Sequence, residues 1–230
     1  MSAAFEPLAS PVPQLDAGPD AVFFVGDSIT LGWRDEEVRG WPVRVIAGLR
    51  PRRAITAYNL GVRGDASDNI LARWQDEVRR RRRPKTSAVL VFAFGANDAK
   101  LDADGKPLIS VDALRHNTRR ILGEAIRDHR VLFVGPAPVD EETLARVLNP
   151  AGDVPMPSNR QIAVVSEALA GEAATAGVPY LDMRERLAGD QSWSAAVRET
   201  DGLHPPSRGY DIIAGHVAAW SPWASLFAQG

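Results

Sequence analysis

"FFVGDSITLGW", residues 23–33, is an apolar run that halts at Gly26-Asp27-Ser28 and meets another glycine four residues past the serine. Short apolar runs without alternation read as strands covered on both faces. The run that opens here, "AVFFV" (21–25), is followed by four more of its kind: "AITAYNL" (54–60), "AVLVFAF" (88–94), "RVLFVG" (130–135) and "VPYLDM" (178–183). Helical patterns lie between them. One sets Val111, Leu114, Ile121, Leu122, Ala125 and Ile126 near a 3.6-residue period; others run from about Ser158 to Ala176 and from about Ser207 to Trp220. Strand then helix, repeated, predicts an α/β protein: a doubly wound parallel sheet of about five strands between two helical layers. The proline-rich stretch "LNPAGDVPMPSN" (148–159) reads as a long loop. No repeat or linker divides residues 21–230, so they read as a single domain, preceded over residues 1–20 by an irregular arm.

Composition removes several function classes. A net charge of −2 supplies no long-range pull toward nucleic acid or an anionic membrane. No stretch approaches the roughly 18–20 apolar residues of a membrane span. There is no cysteine, which excludes disulfides, thiolate nucleophiles and cysteine-held metal. His116, His129, His204 and His216 form no HxxxH or HxH pair, so no metal site is expected. His116 and His129 read as solvent-facing, His216 as structural. "RRRRRPK" (79–85) reads as a solvated helix end, where cations suit the exposed carbonyls. The first twenty residues lack a basic start and an apolar stretch of signal-peptide length, and the expected location is the cytoplasm.

Ligands of open α/β sheets bind beyond the carboxyl ends of the strands. The first strand is followed there by Ser28, the second by "NLGVRGD" with Gly61 and Gly64, and the third by "GAND" with Asn97. A hydroxyl, backbone N–H groups and a neutral amide are the parts that acyl transfer requires, a nucleophile and donors for an oxyanion. A base is offered by "TDGLHPP", where Asp201 stands three residues before His204. That spacing can set a carboxylate against Nδ1 and leave Nε2 to take the serine proton. Asp182 also follows a strand and is a competing partner for the histidine. Each residue has a plainer reading too: Ser28 as a helix N-cap, the glycines and Asn97 as turn formers, Asp98 as a brace for its loop.

The four blocks "GDSIT", "NLGVRGD", "GAND" and "DGLHP" resemble, in order, those of the SGNH or GDSL-type hydrolases, with Ile29 where the family name has leucine. They span residues 26 to 205. The resemblance implies a flavodoxin-like three-layer fold and an ester hydrolase without a cofactor. It implies that Ser28 is the nucleophile, His204 the general base and acid, and Asp201 its orienting partner. The oxyanion hole it implies is built from the N–H of Ser28, the N–H of Gly61 and the amide of Asn97; Gly64, by its own residue type, reads as a plain turn. The expected partner is a small-molecule ester, because the chain has neither a lid-sized insertion nor a basic amphipathic helix. An acyltransferase using the same groups, and an inactive binding module on the same fold, are the alternatives. Trp33, Trp41 and Trp193 are placed either at the substrate or in the core.

Overall fold

The structure, a computed structural model, describes residues 18–49 and 54–227. The first half contains β1 (Ala21–Gly26), α1 (Ser28–Leu31), α2 (Gly40–Gly48), β2 (Thr56–Gly61), α3 (Ser67–Arg81), β3 (Ala88–Ala93), β4 (Lys100–Leu101) and α4 (Val111–Ala125). The second contains β5 (Arg130–Val134), α5 (Glu141–Leu148), β6 (Met156–Pro157), α6 (Asn159–Thr175), β7 (Tyr180–Leu181) and α7 (Met183–Leu187). It closes with α8 (Gln191–Arg198), α9 (Ser207–Ala218) and α10 (Ser221–Ala224). Five strands pair in parallel in the order β2-β1-β3-β5-β7. The chain leaves β1 to one side for β2 and returns to the other side for β3. The switch point, where such sheets open a crevice, therefore lies between the carboxyl ends of β1 and β3.

The alternation of side chains explains why β1 is apolar throughout. Phe23 and Val25 enter one core with Leu90 and Phe92 of β3, Ile70 and Trp74 of α3, and residues of α4 and α6. Val22 and Phe24 enter the other with Val89, Val91, Trp41, Trp193 and Tyr210. Burying side chains such as Phe23 or Phe24 stabilises by about 1.5–3 kcal/mol each. Trp41 and Trp193 are thus core residues, whereas Trp33 remains 36% exposed.

The five expected strands are present, but β2 is not covered on both faces. It is an edge strand, and of its six residues only Leu60 is buried. The stretch 148–159 is not all loop: Met156 and Pro157 pair antiparallel with Leu101 and Lys100 in a small second sheet. Two-residue strands have too little length to show a period. His129 is half-buried, with its Nδ1 unpartnered among the described residues, where solvent exposure was expected. Burial, then the charge of Arg82, lowers its affinity for a proton. Of the expected arm, residues 1–17 lie outside the described residues; Asp20 is bonded to Ser87 at the start of β3. No helix of the described residues is long and apolar enough to cross a membrane.

Candidate active site

β1 ends on Gly26 because no side chain fits there: a Cβ would stand 2.1 Å from Thr30 Oγ1 and 2.2 Å from Ala93 O. The chain turns directly into α1. Its N-cap is Asp27, which accepts from the Ile29 N–H at 2.9 Å, so Ser28 is the first helical residue rather than the cap. An N–H in the first turn has no intrahelical acceptor, and that of Ser28 donates to none among the described residues. Burial is the largest influence on the Asp27 carboxyl and pushes it up to about 7.

Ser28 Oγ lies 2.8 Å from His204 Nε2, across a separation of 176 residues. His204 Nδ1 is 2.9 Å from Asp201 Oδ2. A carboxylate only accepts, so Nδ1 carries the proton and Nε2 is left to accept from the serine hydroxyl. Asp201 Oδ1 takes the backbone N–H groups of His204 (2.8 Å) and Leu203 (3.1 Å). Burial works to raise the Asp201 carboxyl, but the hydrogen bond and charge of His204 outweigh it and hold the group well below the usual carboxylate range. The side chain of Asp201 is 1% exposed. Asp182, the competing partner, caps α7 through the Glu185 N–H instead.

Asn97, at the carboxyl end of β3, is buried, and its Nδ2 donates to Asp65 O at 2.9 Å. An amide has two such hydrogens, so this bond aims the group and leaves one donor over. Gly61 differs from expectation. Its N–H is donated to Asn59 Oδ1 at 3.0 Å, and a Cβ on it would stand 2.2 Å from Leu31 N. The glycine is there so that β2 and α1 can touch. Among the described residues the N–H of Gly64 has no acceptor; this glycine is exposed and left-handed at φ +83°, and none of their heavy atoms beyond its chain neighbours lies within 4 Å of where a Cβ would sit. The glycine block was legible; which of its N–H groups is free depends on the Asn59 side chain.

Several supports surround the site, of which the bracing role of Asp98 was expected from the sequence. Arg73 of α3 binds Asp65 through Nε at 2.5 Å and Gly26 O through Nη2 at 2.9 Å, tying two strand ends together. Asp98 accepts the buried Ser67 N–H at 3.0 Å, and burial pushes its carboxyl up to about 6. Arg34 Nε donates to Asp201 Oδ2 at 2.6 Å. Tyr210 donates to Trp33 O at 2.7 Å, and the Arg63 guanidinium stacks 3.4 Å over the Trp33 ring. Except for Arg73 and Asp65, eight residues apart, these partners lie far apart in sequence and carry no local pattern. A cavity of about 30 Å³ lies behind α1, with Ile29, Thr30, Phe94, Ala96 and Leu203 among its lining residues. No group of three or more potential metal-ligating side chains occurs among the described residues.

A serine hydroxyl on an imidazole, an imidazole on a carboxylate, and unengaged N–H groups nearby form an arrangement able to transfer an acyl group. A model of the GDSL-like lipase/acylhydrolase family matches residues 24–212. No curated protein matches the chain. Among solved structures, a lipase/acylhydrolase from Enterococcus faecalis superposes with a TM-score of 0.68 at 24% identity, over 86% of this chain and 93% of that one. A member of the lipolytic G-D-S-L family from Veillonella parvula gives 0.63 at 18%, over 88% and 98%. An acetylxylan esterase from Geobacillus stearothermophilus gives 0.63 at 17%, over 88% and 94%. At these identities the structural likeness speaks for the fold.

Proposed function

The chain belongs to the GDSL-like lipase/acylhydrolase family, whose members hydrolyse ester bonds, and from that premise we propose that it is a serine esterase working through an acyl-enzyme on Ser28. The observation that carries this reading is the 2.8 Å contact of Ser28 Oγ with His204 Nε2, backed by Asp201 at 2.9 Å. Ser28 Oγ attacks the ester carbonyl while its proton passes to Nε2. The carbonyl oxygen, now negative, is held by the N–H of Ser28, the N–H of Gly64 and the spare amide hydrogen of Asn97. Imidazolium then returns its proton to the departing alkoxide, and the alcohol leaves. Water, deprotonated by the same Nε2, attacks the acyl-enzyme; collapse of that second intermediate returns the proton to Oγ and frees the acid. Asp201 stays ionised throughout and keeps Nδ1 as donor.

Short acyl esters are the substrates this reading favours: the acetylxylan esterase neighbour acts on acetyl esters by its name, and the cavity of about 30 Å³ is lined by Ile29 and Leu203, the sequence neighbours of Ser28 and His204. The test is hydrolysis of p-nitrophenyl esters from acetate to long chains by the wild type and by Ser28→Ala. Expected is turnover that is highest for acetate and absent from the variant. Turnover that survives in folded Ser28→Ala would remove the serine from the mechanism.

A further inference from the structure

The nine residues from Gly32 to Gly40, the loop after α1 and the first residue of α2, have unusual backbone geometry. Four of them have left-handed φ: Gly32 at +87°, Arg34 at +67°, Val38 at +55° and Gly40 at +59°. The glycines have reason to be there, since their backbones pack against each other, and a Cβ on Gly32 would stand 2.6 Å from Gly40 Cα. Arg34 has no such excuse. A side chain in this region costs of order 1–3 kcal/mol and persists where the surroundings enforce it. Among the described residues, the hydrogen bond that the Arg34 side chain gains is Nε on Asp201 Oδ2 at 2.6 Å. That is the oxygen that also faces His204 Nδ1.

The rest of the loop is locked beside the histidine. The buried Asp35 binds Arg44 of α2 at 2.5 Å, the Gly40 N–H at 2.6 Å and Ser207 Oγ at 2.6 Å. Glu36 accepts the Ser207 N–H at 2.9 Å, at the start of α9. The loop is thereby fastened to the segment His204-Pro205-Pro206-Ser207 at points independent of Arg34. The Arg34 side chain is 40% exposed while that of Asp201 is 1% exposed, and Asp201 keeps three other hydrogen bonds without the arginine.

We propose that Arg34 is a positioning residue for the His204–Asp201 pair, fixing the orientation of the carboxylate and offsetting its charge so that the imidazole sheds its proton at lower pH. The proposal rests on the esterase reading. A bare carboxylate beside Nδ1 favours imidazolium, and imidazolium cannot accept from Ser28. A guanidinium on the same oxygen opposes that protonation. The other ionisable groups around the pair include Asp27 at the cap of α1, Asp35 with Arg44, Glu36 at the Ser207 N–H, Tyr210 of α9, and Asp140 with Arg198, where the Asp140 N–H donates to Gly202 O. Arg34 is the cation that touches the carboxylate of the pair directly.

The experiment compares kcat/KM against pH for the wild type, Arg34→Gln and Arg34→Lys, using the acetate ester. The acid limb of that profile reports the base of the free enzyme. Expected is an upward move of the limb by roughly half a unit to one unit in Arg34→Gln. Arg34→Lys, which keeps the charge, should bring most of it back. A purely structural role would lower the plateau and leave the limb in place; a folded Arg34→Gln protein with an unmoved limb overturns the proposal. Titration of the His204 imidazole by NMR gives a second reading that needs no turnover. Absence of Ser28-dependent hydrolysis would sink the esterase reading, and the imidazole titration would still decide for or against Arg34.

Discussion

Asn97 has one amide hydrogen committed to the Asp65 carbonyl and a second to give, so removing it has two separable effects. Asn97→Ala is expected to lower kcat by about 10²–10³ through loss of one oxyanion donor. It also strands the Asp65 carbonyl, at a cost of about 1–3 kcal/mol in stability. Steady-state kinetics and denaturant melts on the same protein read the two, and an unchanged kcat would take Asn97 out of the mechanism. The two glycines behind β2 separate just as cleanly. Gly61→Ala forces a Cβ to 2.2 Å from Leu31 N, so it should push α1 and Ser28 out of place and depress both melting temperature and activity. Gly64→Ala meets open space and bears only the left-handed backbone cost of about 1–2 kcal/mol. If Gly61→Ala melts no lower than Gly64→Ala, the packing argument is wrong. A contact between near neighbours in sequence, such as that of Asp201 with His204, was legible in advance. Arg34, 167 residues from Asp201, was not, because nothing local marks an arginine that reaches across a fold.

The N-cap of α3 is Ala66, whose methyl group cannot accept a hydrogen bond, and the helix borrows its acceptor from elsewhere. Asp98, just past β3, takes the Ser67 N–H with both oxygens, at 3.0 and 3.2 Å. Ser67 is fully buried, so water cannot replace the lost acceptor. Asp98→Ala should therefore cost about 1–2 kcal/mol, the usual loss of a helix cap; a midpoint of urea unfolding equal to the wild type's would refute it. The elements that a sequence reveals are those whose burial imposes a period. β1 and β3 are buried at every position, because their two faces feed two cores, and they read as unbroken apolar runs. β2 was placed correctly in order, but its exposure follows from its edge position, which depends on the direction the chain takes after β1. β4 and β6, two residues each, are set by contact between distant loops and left no trace in composition.

Over the whole molecule, two sets of carboxyls pull stability in opposite directions with pH. Asp27 and Asp98 are pushed up by burial, to about 7 and about 6. A carboxyl raised above its unfolded value binds more protons folded than unfolded, so its contribution grows as pH falls from near neutrality toward about 4. Asp35 and Asp201 are depressed by their hydrogen bonds despite burial, and what they contribute is lost once pH falls below the ordinary carboxylate range. The melting temperature should thus be higher near about pH 5.5 than near about pH 8 and should drop again in strong acid. Asp27→Asn, which can still accept from the Ile29 N–H, should raise the melting temperature near about pH 8 and flatten the profile. A wild-type melting temperature that climbs steadily from about pH 5.5 to about pH 8 would contradict the assignment. The architecture at this scale, five parallel strands wound to both sides, was legible because the strand–helix alternation runs through the chain; the bracing of the loops above the sheet was not, since it is written in pairings between them. The 2.8 Å contact between Ser28 and His204 closes only when residues 176 apart have been brought together. Its partner bond, between His204 and Asp201, closes within a three-residue turn. Covalent capture of Ser28 by a serine-reactive phosphonate would then register assembly of the chain as a whole, and a refolding mixture could be followed by the fraction of molecules that accept the label.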